Sequence, residues 1–156
     1  MRALLRDSAI SNHTKRPPQG KLPSFSDLVS IELDGWRAIQ LIQNRLPARV
    51  VIQAARYLHV APQQLSSALS LRRTLSHPTS DPNRPLSQFE TERLIRLADL
   101  TRLAVTAFGE STAATKWLCA ANIALAGESP LAMAATDIGA REVRRVISSV
   151  AYGAAL

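Results

Sequence analysis

Residues 87–109 read SQFETERLIRLADLTRLAVTAFG. The stretch opens with a capping box, because the Ser87 hydroxyl can accept a backbone N–H while the Glu90 side chain reaches back to the backbone of Ser87. Apolar residues then recur every three to five positions, which is typical of one helical face. Gly109 follows as a residue that tolerates the left-handed backbone of a helix end. The stretch predicts a helix of about 21 residues, about 32 Å long.

Further helices are predicted after this segment. Ser111 starts one helix, which runs through Trp117-Leu118, and Ser129-Pro130 caps another, which ends near Ala135. The last covers residues 140–152, with apolar residues on one face and arginines on the other. No alternating strand pattern occurs in the sequence, so the predicted fold class is all-α.

The first half of the chain is less regular. Residues 1–23 are rich in polar and basic residues with two adjacent prolines, and we expect a flexible leader. Ser24 can cap the first helix, and Gly35 is expected to interrupt it. One helical face is then expected, followed by a helix that Pro47 opens. The expected face consists of Trp36, Ile39, Leu41, Ile42 and Leu46.

Residues 78–85 contain three prolines, which predicts a linker or a rigid surface loop. We therefore divide the chain into a leader (1–23), a first domain (24–85) and a second domain (86–156). The net charge of +7 follows this division, because residues 1–85 carry twelve Lys or Arg against five Asp or Glu, whereas residues 86–156 carry seven of each. A one-sided basic excess is typical of a nucleic-acid binder, although a solvated basic surface would give the same count.

Several classes of function find no support in the sequence. It contains no Gly-rich phosphate loop, no paired acids and no nucleophile with a base, so we predict that the protein is not an enzyme and needs no cofactor. The histidines and the single cysteine, Cys119, lack the spacing of metal ligands. One cysteine excludes an internal disulfide and suits the cytoplasm. No apolar run reaches the roughly 20 residues of a membrane span.

Two helix-turn-helix frames fit the first domain. The frame we favour runs from Ala61 to Leu75, with its turn at Ser70-Leu71 and a short basic second helix that stops at His77-Pro78. It puts arginines where base and phosphate contacts need them. The DNA-binding residues that we predict are Arg49, Arg72, Arg73, Thr74 and Ser76.

The alternative frame starts earlier. It pairs residues 54–61 with residues 63–69 and places His59 in the turn. Four polar side chains of the second helix would then face the bases, namely Gln63, Gln64, Ser66 and Ser67.

The order of short motifs from residue 46 onward resembles the Xre/MbcA/ParS antitoxins of bacterial toxin–antitoxin pairs. The residues that carry this resemblance are Arg73-Thr74-Leu75, Pro85-Leu86-Ser87, Trp117-Leu118, Gly127, Pro130-Leu131, Thr136, Gly139, Val143 and Tyr152-Gly153. The chain departs from the family at Ser76-His77-Pro78, where members often carry two basic residues, so the resemblance bears less strongly on DNA binding.

The resemblance implies a function for each half. The first would be an Xre-like helix-turn-helix domain that binds operator DNA and represses its own operon, as a homodimer within a larger complex. The second would cover the active site of a RES-domain toxin that depletes NAD. The implied toxin-binding residues are Trp117, Arg141, Arg145, Tyr152, Gly153, Ala154, Ala155 and Leu156. The alternative is a stand-alone helix-turn-helix repressor whose second half only dimerises.

Overall fold

The computed structural model describes residues 22–72 and 81–153. Within these ranges the protein consists of helices and one isolated bridge between Pro47 and Pro85, which confirms the all-α prediction. A 3-10 turn covers Ile123–Leu125. The α-helices are α1 (Phe25–Ser30), α2 (Gly35–Asn44), α3 (Arg49–Tyr57), α4 (Pro62–Ala68), α5 (Gln88–Phe108), α6 (Ser111–Cys119), α7 (Pro130–Met133) and α8 (Asp137–Gly153).

Helix α5 is the central element, and it has the bounds that the sequence predicts. The Ser87 hydroxyl accepts from the N–H of Glu90 at 3.2 Å, and the N–H of Ser87 donates to Oε2 of Glu90 at 2.8 Å. Gly109 ends the helix with φ of 72°. The helix packs against α1, α2, α6 and α8, so it contacts helices from both halves of the chain.

The first helices correct three expectations. Gly35 does not interrupt a helix but begins α2, because the Asp34 carboxylate caps that helix through the N–H of Arg37 at 2.7 Å. Pro47 opens no helix and instead pairs with Pro85, ahead of α3. Trp36, expected on a buried face, is 65% exposed. The apolar stripe of α2 is therefore only half buried, since this helix lies at the surface of α5.

The proline-rich segment is tied to the first half of the chain where the structure describes it. The carbonyl of Arg84 accepts from Ala48, and the N–H of Leu86 donates to the carbonyl of Leu46, both at 2.8 Å. Residues 81–85 thus form a docked surface loop, while residues 78–80 lie outside the described ranges. Buried residues form one hydrophobic cluster from Phe25 to Ile147. The domain boundary at residue 85 stays a prediction.

Helices α6, α7 and α8 form the second half around α5. Ser111 begins α6 and the Ser129 hydroxyl caps α7, both as predicted. Helix α8 starts at Asp137 rather than near Ala140, because the Thr136 hydroxyl accepts from the N–H of Gly139 and caps it earlier.

A Cβ on Gly139 would lie 2.2 Å from the carbonyl oxygen of Met133. The close approach of α7 and α8 therefore requires glycine at this position. None of the helices in the described ranges is both long and apolar enough to cross a membrane.

Candidate functional site

Helices α3 and α4 form a helix-turn-helix unit in the described structure. They are joined by residues 58–61, and His59 takes a left-handed backbone with φ of 56°. The N–H of Val60 bonds the carbonyl of Ala55 at 3.0 Å and holds the turn against α3. Leu65 and Leu69 are fully buried and fix α4 against the core. This geometry matches the alternative frame of the sequence analysis.

The favoured frame can be followed only in part. Ser70 takes a left-handed backbone with φ of 51°, at the position where glycine would be comfortable. Leu71 then donates to the carbonyl of Ser66 at 2.7 Å, and neither Leu71 nor Arg72 is helical. Arg73, Thr74 and Ser76 lie outside the described residues, so a basic second helix beyond Arg72 stays a prediction.

The outer surface of α4 is polar. Gln63, Gln64 and Ser67 are exposed near one another on this short helix. Ser66, expected to face the bases, is instead buried, and its hydroxyl has no hydrogen-bond partner among the described residues. Because Ser66 is buried beside Leu65, the side chains of α4 that can reach a ligand are the amides of Gln63 and Gln64 and the hydroxyl of Ser67. Such groups can donate and accept at the same time.

Two predicted DNA-binding arginines lie within the described structure. Arg49 is partly buried and donates to the Oδ1 of Asn83 in the docked loop. The side chain of Arg72 is 71% exposed, with Nε at 3.8 Å from Oε1 of Glu90. Burial alone would raise the pKa of Glu90, but hydrogen bonds from Ser87 and from the N–H of Arg72, together with the Arg72 charge, lower it below its ordinary value. Glu90 therefore stays charged and orients Arg72 while the guanidinium faces solvent.

The excess of basic residues in the first half of the chain is concentrated near the N-terminus, in residues 1–21. Residues 1–21 carry five Lys or Arg against one Asp. Residues 22–72 and 81–85 carry six Arg against four Asp or Glu. Most of the positive charge thus precedes the helix-turn-helix unit. The described part of the first half is only weakly basic, so any contact of this part with a polyanion would depend on individual arginines.

The predicted toxin-binding residues fall into two settings. Trp117 is half-buried, with its ring centroid 5.4 Å from that of Phe108, so part of the ring belongs to the core. Arg141, Arg145 and Tyr152 lie on the exposed side of α8, where Tyr152 is 78% exposed. Gly153 ends α8 and is exposed. The positions of Ala154, Ala155 and Leu156 lie outside the described residues.

A charged network that the sequence did not indicate joins α5 to α8. Asp99 accepts from Arg102 at 2.9 Å and from Arg144 at 3.1 Å. Arg96 pairs with Glu92 at 2.7 Å and donates to the carbonyl of Ala134 at 3.2 Å. Asp99 and Arg144 are far apart in sequence, so no local spacing could reveal their pairing. The network fixes α8 and the end of α7 on α5.

A groove of about 410 Å³ separates the helix-turn-helix turn from α6. Its lining includes His59, Val60, Thr115 and Cys119. Burial raises the pKa of the Cys119 thiol, and its Sγ lies 3.8 Å from the carbonyl of Leu58. A protonated thiol is a poor nucleophile, so burial lowers the reactivity of Cys119. No cluster of three or more potential metal ligands occurs in the ranges that the structure describes.

Comparison with known proteins bears on both halves. A family model described as an antitoxin Xre-like helix-turn-helix domain matches residues 37–99. A second model, the antitoxin Xre/MbcA/ParS C-terminal toxin-binding domain, matches residues 103–153. Both describe binding domains and not enzymes, in agreement with the predicted absence of catalysis.

A curated relative, an antitoxin Xre of Pseudomonas putida, is 30% identical over 120 residues. The matched segment covers 77% of this chain and 68% of the relative. Together with the two matched models and the helix-turn-helix geometry of α3 and α4, this similarity places the chain in the family of Xre-type antitoxins.

Proposed function

We propose that this protein binds and neutralises a RES-domain toxin and represses its own operon by binding operator DNA. The observation that carries the proposal is the position of α5, which spans residues 88–108. It begins inside the helix-turn-helix match and ends inside the toxin-binding match. One continuous helix thus supports both modules, as expected of a protein that holds DNA and a toxin at once.

The exposed face of α8 supports toxin binding. Arg141, Arg145 and Tyr152 are separated by four and seven residues, so they lie along one face of the helix. The opposite face is buried through Val143 and Ile147. Arg and Tyr are enriched at the energetic centres of protein interfaces. We propose that this face, with Trp117 at the end of α6, contacts the toxin.

The RES identity of the toxin rests on the family resemblance. It implies that the toxin depletes NAD and that the antitoxin covers its active site, with residues 152–156 reaching into the cleft. The exposed Tyr152 at the end of α8 supports this arrangement, because nothing in the described structure covers the helix end.

For DNA, we propose that α4 lies in the major groove. The second helix of a helix-turn-helix contacts base edges with its N-terminal residues, and Gln63 and Gln64 stand there. A glutamine amide can bond adenine in two places. Arg72, next to α4, would contact a phosphate, as would Arg49, Arg73, Thr74 and Ser76 in the proposed complex.

A homodimer would present two such units to an operator with two half-sites. Binding to the operator of its own operon places the proposed action of the protein in the cytoplasm.

Co-expression tests the toxin part of the proposal. The gene should lie beside one that encodes a RES-domain protein, and the wild-type antitoxin should restore growth of cells that express it and co-purify with it. Loss of rescue on deletion of residues 152–156 would support insertion of this segment into the toxin. Rescue without these residues contradicts insertion but not binding, whereas a wild-type protein that neither rescues nor co-purifies contradicts the proposed partner.

A further inference from the structure

The loop between α6 and α7 holds its own shape. At its centre, the side-chain Oδ1 of Asn122 accepts from the N–H of Ala124 at 2.9 Å. The main-chain carbonyl of Asn122 accepts from the N–H of Gly127, also at 2.9 Å. The N–H of Asn122 donates to the carbonyl of Glu128 at 3.1 Å. Gly127 has φ of 85°, which lets the chain turn back. Residues 120–129 therefore form a fixed support and not an extended connection.

This support presents one large apolar side chain to solvent. Leu125 is buried, and the 3-10 turn that contains it packs on α8. Ile123, two residues earlier in the same turn, is 98% exposed, the highest value among the exposed large hydrophobic residues of the described structure. Single exposed apolar residues are common on protein surfaces. This one differs because a buried neighbour and the loop's own hydrogen bonds fix its position.

The surroundings of Ile123 favour contact with a protein. Residues 117–136 contain one charged residue, Glu128, although 20% of the whole chain is charged. The exposed neighbours Ala120, Ala121 and Ala124 are small, so no long side chain shields the isoleucine. The centres of protein interfaces are depleted of charged residues in the same way. A partner surface can therefore approach the loop closely.

We propose that Ile123 is an anchor residue of the toxin interface and inserts into an apolar pocket on the toxin surface. The loop lies inside residues 103–153, the segment that matches the toxin-binding model, and the description of that model favours a toxin as the partner. The inference rests on the proposed function and adds to it a second contact surface, distinct in sequence from the exposed face of α8. Asn122 is a positioning residue, since it orders the turn that carries Ile123.

The test measures binding of the purified full-length protein to the purified RES-domain toxin encoded beside it. Ile123→Ala should raise the Kd by roughly 10- to 100-fold, the loss expected when a buried aliphatic side chain is truncated. Asn122→Ala should raise it less. The matched control is Phe89→Ala, which removes another exposed apolar side chain outside the toxin-binding match. Phe89→Ala should bind as the wild type does, and Ile123→Ala should keep the wild-type melting temperature.

The outcomes separate this inference from the proposed function. Wild-type binding with an unchanged Kd for Ile123→Ala overturns the anchor while leaving the antitoxin proposal intact. Unchanged toxin binding together with weaker self-association of Ile123→Ala would assign the loop to a contact between copies of this chain and would also overturn it. A wild-type protein that does not bind the toxin refutes the proposed function and the anchor with it.

Discussion

The outer face of α4 and the loop around Ile123 are both short surface segments, but they expose opposite chemistry. Helix α4 presents the amides of Gln63 and Gln64 and the hydroxyl of Ser67. The loop presents an isoleucine among alanines. Amides and hydroxyls suit partners with fixed donors and acceptors, such as base edges, whereas an apolar side chain gains by leaving water. The comparison indicates that the protein separates its two proposed partners by the type of interaction offered to each.

The two surfaces are also held differently, yet they share a neighbour. Buried leucines and the left-handed turn at His59 fix α4. The loop is fixed by its own hydrogen bonds. Helix α7 follows the loop directly and also packs on α4. A change that displaces α7 should therefore disturb both surfaces, whereas changes within either surface should leave the other intact.

Gly139→Ala is expected to have the largest effect, because it removes the support that the two surfaces share. The added Cβ would lie 2.2 Å from the carbonyl oxygen of Met133, so α7 and α8 must move apart. Overpacking of this kind costs about 3 kcal/mol, at the upper end of the usual range. Denaturant unfolding measures the loss.

Gly35→Ala is the matched control, since a Cβ there meets no atom within 4 Å. Its free energy of unfolding should equal that of the wild type or exceed it by up to about 1 kcal/mol, because alanine leaves the unfolded chain less conformational freedom than glycine does. Equal stability of Gly139→Ala would show that the distance between α7 and α8 can adjust, and that α7 is not a rigid neighbour of both surfaces.

The second prediction decides which frame reads DNA. If α4 enters the major groove, replacing both Gln63 and Gln64 by Ala should weaken operator binding by about 1–3 kcal/mol for each base pair read, and should reduce discrimination against altered sites. Replacing Arg72 and Arg73 by Ala should instead weaken binding to all sequences and lower the salt slope by about one for each phosphate that is no longer neutralised. Titrations at several salt concentrations measure both.

The reverse pattern would favour the later helix-turn-helix frame, which runs from Ala61 to Leu75. In that case the arginine variant loses sequence discrimination and the glutamine variant keeps it. Toxin binding serves as the control, because neither pair of residues lies in the segment that matches the toxin-binding model. A fall in toxin affinity for either variant would contradict the separation of the two surfaces.

A smaller effect on stability is expected from Glu90, which contacts Arg72 and forms the capping box at the start of α5. The pKa of Glu90 is lowered from its ordinary value of 4.5, so its charged form is favoured by folding. The charged carboxylate therefore adds to the free energy of unfolding. This gain is complete when the pH is above 4.5, the ordinary pKa, and is lost as the pH falls through the lower pKa of Glu90 in the folded protein. Glu90→Gln should therefore lose less stability than the wild type as the pH falls below 4.5.

Melting temperatures across this pH range test the prediction, with Glu128→Gln as the control for an exposed acid. Ser87→Ala, which removes the hydroxyl partner of Glu90, should cost about 1 kcal/mol. Parallel pH profiles for the wild type and Glu90→Gln would mean that the carboxylate gains nothing from its hydrogen bonds in the folded protein.

The success of sequence reasoning differs between the two halves for a physical reason. The start and end of α5 and the cap of α7 follow from side chains within three residues of each helix end, so they were predicted. The helix-turn-helix frame was harder to fix, because the apolar spacing fits two registers equally well and tertiary packing selects between them. Ser66 shows this, since burial of α4 turns its hydroxyl inward.

Ile123 was missed because an isolated isoleucine in a sequence looks like a core residue. A signal was nevertheless present, namely the near absence of charge from residues 117–136. The pairing of Asp99 with Arg144 had no such signal, since it depends on how α5 and α8 pack. The predicted burial of Trp36 was wrong for a related reason. The spacing of apolar residues identifies the apolar face of α2, but not the fraction of that face that the core covers.

The smallest effect on stability is expected from Arg141→Ala. Arg141 pairs with Asp137 at 3.4 Å, and both side chains are 66% exposed, so the change should alter stability by less than about 0.5 kcal/mol. If the exposed face of α8 meets the toxin, the lost charge should slow association and weaken its salt dependence. Ile123→Ala should instead speed dissociation, because a buried apolar contact contributes after docking. Arg37→Ala, an equal charge change at the start of α2, is the control; an equal loss of association rate there would mean that net charge and not the α8 face governs the encounter.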